Sequence, residues 1–199
     1  MEFYEVINNR RTIREFEEKA IPQEVLQRIL DAGLKAPSSD HMRQWEPVAI
    51  TDKAAIEAVA SNVNPVPCNI TEPETPQQEM FKIALPKQHT MLAGAGCLIL
   101  PYFKQAGDMY KPHNVFGLIN YGATWALVEN MLLAATAEGL GCAIHVPTGM
   151  EDESIQKAVN APDGYVLPVV IAVGYPKENA EVPTQVSATV EEKVHWNQW

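Results

Sequence analysis

The stretch VFGLINYGATWALVENMLLAATAE, Val115 to Glu138, is the longest helical pattern in the chain. Leu118, Ile119, Trp125, Val128, Met131, Leu132 and Ala135 recur at helical spacing, yet they cover most of the circumference rather than one stripe. A helix that is apolar all round is buried on nearly every side, so this one belongs at the domain centre or at a subunit interface. Gly139 and Gly141 follow it as C-cap signals.

Outward from this helix, three apolar runs read as strands: Cys97 to Phe103, Cys142 to Val146, and the β-branched Val166 to Tyr175. Upstream, Ile21 to Ala36 reads as a helix, with Pro22 in its first turn and Pro37 as its stop. Val25, Ile29 and Gly33 form its stripe, with Leu26 and Leu30 beside it. Trp45 to Thr51 reads as a strand, and Asp52 to Ala60 as a helix capped by Thr51 or Asp52. Pro65, Pro67, Pro73 and Pro76 make residues 62–76 an irregular loop. Gln77 to Leu85 reads as a helix ended by Pro86, Asp152 to Val159 as a short one, and Glu2 to Asn9 as a weak one. The tail from Pro176 has little core pattern before Val194-His195-Trp196. Helices mixed with a few strands give an α+β or α/β architecture.

The composition narrows the function. With 199 residues, 46% hydrophobic and 20% charged, the chain suits a single domain able to bury a core without disulfides or metal. A net charge of −10 argues against nucleic-acid binding, which needs a basic face. Cys97 and Cys142 lie in apolar runs and read as buried thiols; Cys68 pairs with neither in any C-x-x-C pattern. The N-terminal residues do not read as a signal peptide, so none is expected, and no apolar run reaches the length of a membrane span. The expectation is a soluble cytoplasmic protein with no membrane partner.

Two polar clusters stand out. Arg10, Arg11 and Arg14 with Thr12 offer planar donor forks and a hydroxyl suited to a phosphate. A solvated basic patch paired with Glu15, Glu17 and Glu18 is the other reading. Pro37-Ser38-Ser39, with His41 and Arg43, places small hydroxyls after a helix, either as ligand donors or as an ordinary turn. No G-x-G-x-x-G, phosphate-binding P-loop or G-x-S-x-G element is present, which argues against a Rossmann domain and a serine hydrolase. His41, His89, His113, His145 and His195 show no H-x-x-x-H spacing, so no metal site is expected.

Taken in order, several segments resemble the nitroreductase family of FMN-dependent oxidoreductases. Arg10-Arg11-Thr12-Ile13-Arg14-Glu15-Phe16 is similar to the family's R-R-S-x-R-x-[FY] opening, and Ala36-Pro37-Ser38-Ser39 to its A-P-S-[SA] loop. Glu129 to Ala135 with Gly139-Leu140-Gly141-Cys142 resembles its long helix and G-L-G turn, and Ile171 to Pro176 its A-x-G-Y-P strand. The chain departs after the serines, where Asp40-His41-Met42-Arg43-Gln44 replaces the frequent Asn-x-Gln-Pro-Trp, and Gln185, with Lys193 further on, stands where many members carry a basic arm residue.

The resemblance implies a three-layer α-β-α sandwich with a central mixed sheet. It makes residues 1–199 one domain whose C-terminal arm, 176–199, is exchanged within a homodimer. It assigns Arg10, Arg11, Thr12 and Arg14 to the FMN phosphate and the polar flavin edge. Pro37, Ser38, Ser39 and His41 would reach the same FMN from the other subunit, and Pro147, Thr148 and Gly149 would lie along the isoalloxazine ring. No side chain is expected to act as a catalytic nucleophile, since the flavin carries the chemistry. The implied reaction is a ping-pong transfer from NADH or NADPH to an acceptor such as a nitroaromatic or a quinone. Dehalogenation or flavin fragmentation on the same scaffold, and flavin storage or sensing, are the alternatives.

Overall fold

The computed structural model describes residues 1–105, 107–109 and 111–199. In chain order its elements are α1 (Phe3–Asn9), α2 (Gln23–Leu34), β1 (Trp45–Ile50), α3 (Lys53–Ala60), α4 (Pro76–Ala84), α5 (Gln88–Ala93), β2 (Cys97–Lys104), α6 (Ile119–Ala137), β3 (Gly141–His145), α7 (Glu151–Ala158), β4 (Tyr165–Val166), β5 (Val170–Gly174) and α8 (Val190–Lys193).

The sheet has the order β1-β2-β5-β3, with β4 pairing the end of β2. Each of these pairings is antiparallel. The parallel component of the expected mixed sheet is a single bridge between Thr12 and Cys142. β5 pairs β2 only at Cys97–Ile99, and β4 takes over at Phe103 and Lys104. The expected run Val166 to Tyr175 is therefore two strands. Pro168 lies between them, where a residue without an N–H cannot continue a ladder.

Alternation along the strands separates two cores. Leu98, Leu100 and Tyr102 of β2, with Val170 and Ala172 of β5, meet Ile56 and Val59 of α3, Met91 and Leu92 of α5, and Ile155 of α7. Cys97, Ile99 and Phe103, with Ile171 and Val173, meet Leu26 and Ile29 of α2 and Leu127, Val128 and Met131 of α6. Side chains on a strand point alternately to opposite faces, so one apolar run serves both layers. The result is the α-β-α sandwich. Each fully buried Leu or Ile contributes about 1.5–3 kcal/mol, so these two sets dominate stability.

Local signals account for the helix ends. The Asp52 side chain accepts from Ala55 N–H and starts α3; Thr75 accepts from Gln78 N–H and starts α4. Pro86 does not end the helical region. It sits at the start of a short 3-10 turn, Leu85–Lys87, where its missing N–H is not needed, and α5 follows directly.

α6 is not enclosed on all sides. Thr124, Leu127, Val128, Met131, Leu132 and Ala135 face inward. Val115 (83% exposed) and Phe116 (64%) precede the helix in a 3-10 turn and face out, with Ile119 at its start. α2 packs closely against α6 because Gly33 has no Cβ, which would overlap the Met131 side chain. Arg28 adds a bidentate bond to Glu138 at 2.7 and 2.8 Å, and Asn130 donates to the Ala32 carbonyl at 3.1 Å. Gly139, at φ +78, makes the left-handed exit of α6. Gly141 serves packing instead, since a Cβ there would meet Ile13 at 2.7 Å.

Beyond Gly174 the chain is held at its root. Glu15 carbonyl accepts from Lys177 N–H at 3.0 Å, and the Glu15 carboxylate accepts from Glu181 N–H and Lys87 Nζ, both at 3.0 Å. From Val182 outward the segment is largely exposed, with a capping-box turn at α8 and Trp196 and Trp199 in solvent. No helix among the described residues is long and apolar enough to cross a membrane.

Candidate functional site at the two ends of β3

The arginine segment is fastened to the sheet. Ile13 N–H donates to Cys142 carbonyl at 2.9 Å, and Phe16 pairs with Pro176. Ile13 fits against Gly141 and Phe16 against Gly174, two places where a Cβ would collide. The intervening polar residues are thereby fixed relative to β3 and β5.

The three arginines differ in what they do. Arg11 donates through Nη1 to the carbonyls of Asn8 and Arg10, both at 2.7 Å, and so closes the end of α1. Arg10 is half-buried, with its Nε 3.9 Å from a Glu129 carboxylate oxygen. Arg14 is the unusual one. Its Nε and Nη1 are sealed from solvent, with no hydrogen-bond partner among the described residues. Burial lowers its pKa, and Glu181 offsets part of that. A guanidinium stays charged even so. Leaving those two donors unmet costs on the order of 1–3 kcal/mol or more, so the site calls for an acceptor that the described residues do not supply.

The serine loop is held in an uncommon backbone. Asp40 (φ 48), His41 (φ 54) and Arg43 (φ 46) all lie in the left-handed region. Ser38 Oγ accepts from Arg43 N–H at 3.1 Å and stabilises this course. Strain of this kind, about 1–3 kcal/mol per residue, gathers at ligand clamps and switches. Pro37, Ser38 and Ser39 line a cavity of about 470 Å³ together with Leu118, Ile119 and Gly122 at the start of α6.

At the far end of β3, His145 is buried (5% exposed). Its Nδ1 lies 2.8 Å from Gln88 Oε1 of α5 and its Nε2 lies 3.1 Å from Glu151 Oε2 of α7. The same Glu151 oxygen accepts from Thr148 N–H at 2.7 Å and from the Thr148 hydroxyl at 3.2 Å. Burial lowers the His145 pKa, and Glu151 partly opposes it. Thr148 and Gly149 themselves are exposed, and Gly149 turns at φ +62.

The anticipated residues therefore form three patches rather than one pocket. Arg11 and Ile13 line a cavity of about 410 Å³ with Gly139 and Gly141, Pro37–Ser39 line another, and Pro147–Gly149 lines neither. His145, Gln88 and Glu151 carry no sequence motif, and only the fold brings them together. Cys97 and Cys142 are buried thiols whose pKa burial pushes up to about 12, and they stay protonated.

These features fit known relatives. A Haliscomenobacter hydrossis iodotyrosine deiodinase is 28% identical over 186 residues, covering 92% of this chain and 82% of that one. A solved Bacteroides thetaiotaomicron protein, provisionally assigned as an NADH dehydrogenase/NAD(P)H nitroreductase, superposes with a TM-score of 0.73 at 26% identity, over 99% of this chain and 98% of that one. A solved iodotyrosine deiodinase bound to FMN and 3-iodo-L-tyrosine shares the fold, with a TM-score of 0.76 at 20% identity over the full length of both chains. The family model for the nitroreductase family matches residues 7–175, so the chain belongs to the nitroreductase family.

Proposed function

We propose that the protein is an FMN-dependent oxidoreductase that draws electrons from NADH or NADPH and works as a homodimer. The observation that carries this reading is Arg14, a half-buried cation with two sealed donors that lack an acceptor among the described residues. FMN fits that need, since it offers both a phosphate and an electron-rich flavin edge. When bound, FMN supplies hydride acceptance from a nicotinamide and passes the electrons to an acceptor such as a nitroaromatic or quinone.

The chain's own residues would bind and orient. Arg14 would stabilise negative charge at the flavin edge. Arg10 and Thr12 would take the phosphate, with Arg11 mainly shaping the segment through its bonds to Asn8 and Arg10. Pro37, Ser38, Ser39 and His41 would close the site from a second subunit, which accounts for the serine loop standing apart from the arginine segment in one chain. The apolar surface supports that subunit. Val115, Phe116 and Ile119 beside α6, Phe3 and Tyr4 on α1, and Trp196 and Trp199 in the arm are all exposed.

The test is the visible spectrum of the purified protein before and after anaerobic NADH and NADPH. Flavin bands that bleach are expected. A colourless protein that takes up no added FMN would overturn the reading. Removing residues 183–199 should weaken the dimer, and a dimer that persists by light scattering would refute arm exchange.

Similarity to a deiodinase favours one second reading, reductive dehalogenation of a halogenated phenol on the same flavin. Iodide release from 3-iodo-L-tyrosine by the reduced protein, read with an ion electrode, separates the two reactions.

A further inference from the structure

His145 sits where an apolar residue would be the cheaper occupant, because burying an imidazole has a desolvation cost. It is nevertheless contacted on both ring nitrogens. An ionised carboxylate only accepts hydrogen bonds, so Nε2 carries the hydrogen shared with Glu151. Gln88 Oε1 faces Nδ1 at 2.8 Å, with the Gln88 amide itself held because its Nε2 donates to the Ala84 carbonyl at 2.8 Å. One Glu151 oxygen thus gathers three donors: the imidazole, the Thr148 N–H and the Thr148 hydroxyl.

What this tie holds is a loop with little else to hold it. Val146, Thr148, Gly149 and Met150 are exposed, so packing does not fix their course. Glu151 begins α7, which is anchored by the buried Ile155. His145 ends β3, which is anchored in the sheet. The residues between them span from one rigid element to another, and the His145–Glu151–Thr148 tie sets their path.

We infer that His145 is a positioning residue for the Pro147–Thr148–Gly149 loop: it fixes Glu151, and Glu151 fixes the Thr148 backbone, so that the loop presents one constant surface to the flavin edge. This rests on the proposed FMN binding, with the flavin along that loop as the family resemblance implies. It adds a residue that touches no ligand yet sets how the flavin is seated and how easily it is reduced. Small displacements of positioning groups carry large penalties in such sites.

The experiment uses the full-length wild type, His145→Phe and His145→Gln. FMN affinity is read by quenching of flavin fluorescence, and the flavin midpoint potential by dye equilibration. His145→Phe should raise the FMN Kd by roughly 10–100-fold, the size seen when outer partners of ligand-holding groups are removed, and should shift the midpoint potential. His145→Gln keeps a donor for Glu151 and should restore most of both. A merely structural histidine would leave the potential unmoved in any folded variant. Wild-type affinity and potential in His145→Phe overturn the inference while the flavin reading stands. If wild type binds no FMN, both fall together. Should His145→Phe fail to fold by circular dichroism, Glu151→Gln takes its place, with the same loss expected and the same refutation.

Discussion

Arg14 and His145 both place polar atoms out of solvent in the same small sandwich, and those atoms are met in opposite ways. His145 has a partner on each ring nitrogen, and its acidic partner in turn holds a loop. Arg14 has two sealed donors with no partner among the described residues. A buried group whose polar atoms are all contacted from within the fold serves the geometry of its neighbours. A buried cation with unmet donors is a standing cost, tolerable when something absent from the protomer meets it. The difference separates a residue that shapes a site from a residue that is the site.

The sharpest way to break this contrast is Arg14→Met, which keeps much of the volume and removes every donor. Hydrogen bonds to charged groups contribute about 1.5–3 kcal/mol, so the FMN Kd should rise by about 10–100-fold. The apoprotein Tm should stay level or rise, because the unmet donors leave with the guanidinium. Flavin titration and thermal melts on the same preparation check both halves. A lower Tm with intact FMN binding would make Arg14 a structural residue and erase the distinction.

Arg14 was legible from its neighbours in the chain, and His145 was not. Arg10 to Phe16 is a compact run whose residue types announce anion binding, and Pro37–Ser39 follows a helix at a recognisable place. His145 depends on Gln88, 57 residues away and on a helix that Pro86 seemed to forbid. Polar pairs closed by tertiary packing leave no spacing to read. The same holds for α6. Its apolar residues point to burial, but only packing reveals which side meets α2 and the sheet and which side is left open. The two-sided core was readable because Cys97–Phe103 is continuously apolar. The break at Pro168 was visible as a residue but hidden inside an apolar run.

Tyr102 sharpens the comparison from a third position. Its hydroxyl is also buried and unpartnered among the described residues, but it carries no charge. Burial, aided by Asp152, pushes its pKa up to about 12, so it stays a neutral phenol. If an unmet buried donor is a cost, Tyr102→Phe should stabilise the fold by about 1 kcal/mol, at the low end for an unsatisfied group. Thermal or urea unfolding would show it. FMN affinity should not change. A destabilised variant would mean that the hydroxyl has a partner in solution, and that Arg14's isolation needs the same scrutiny.

The smallest effect belongs to His145, where two influences oppose each other and burial is the larger. Burial favours the neutral ring, while Glu151, facing it from α7, favours the charged one; Gln88 of α5 presents a neutral amide. Burial prevails, so the folded pKa lies below the value near 6.5 of an unfolded histidine. Between those two values the unfolded chain binds more protons than the native one. The contribution is therefore fully present above about pH 6.5 and is lost as pH falls toward the folded pKa. His145→Gln should remove that part of the slope, leaving stability flatter than wild type as the pH is lowered from neutral. If wild type instead grows more stable over this range relative to His145→Gln, the ring is held as an imidazolium. The tie to Glu151 would then be an ion pair rather than a neutral donor's hydrogen bond.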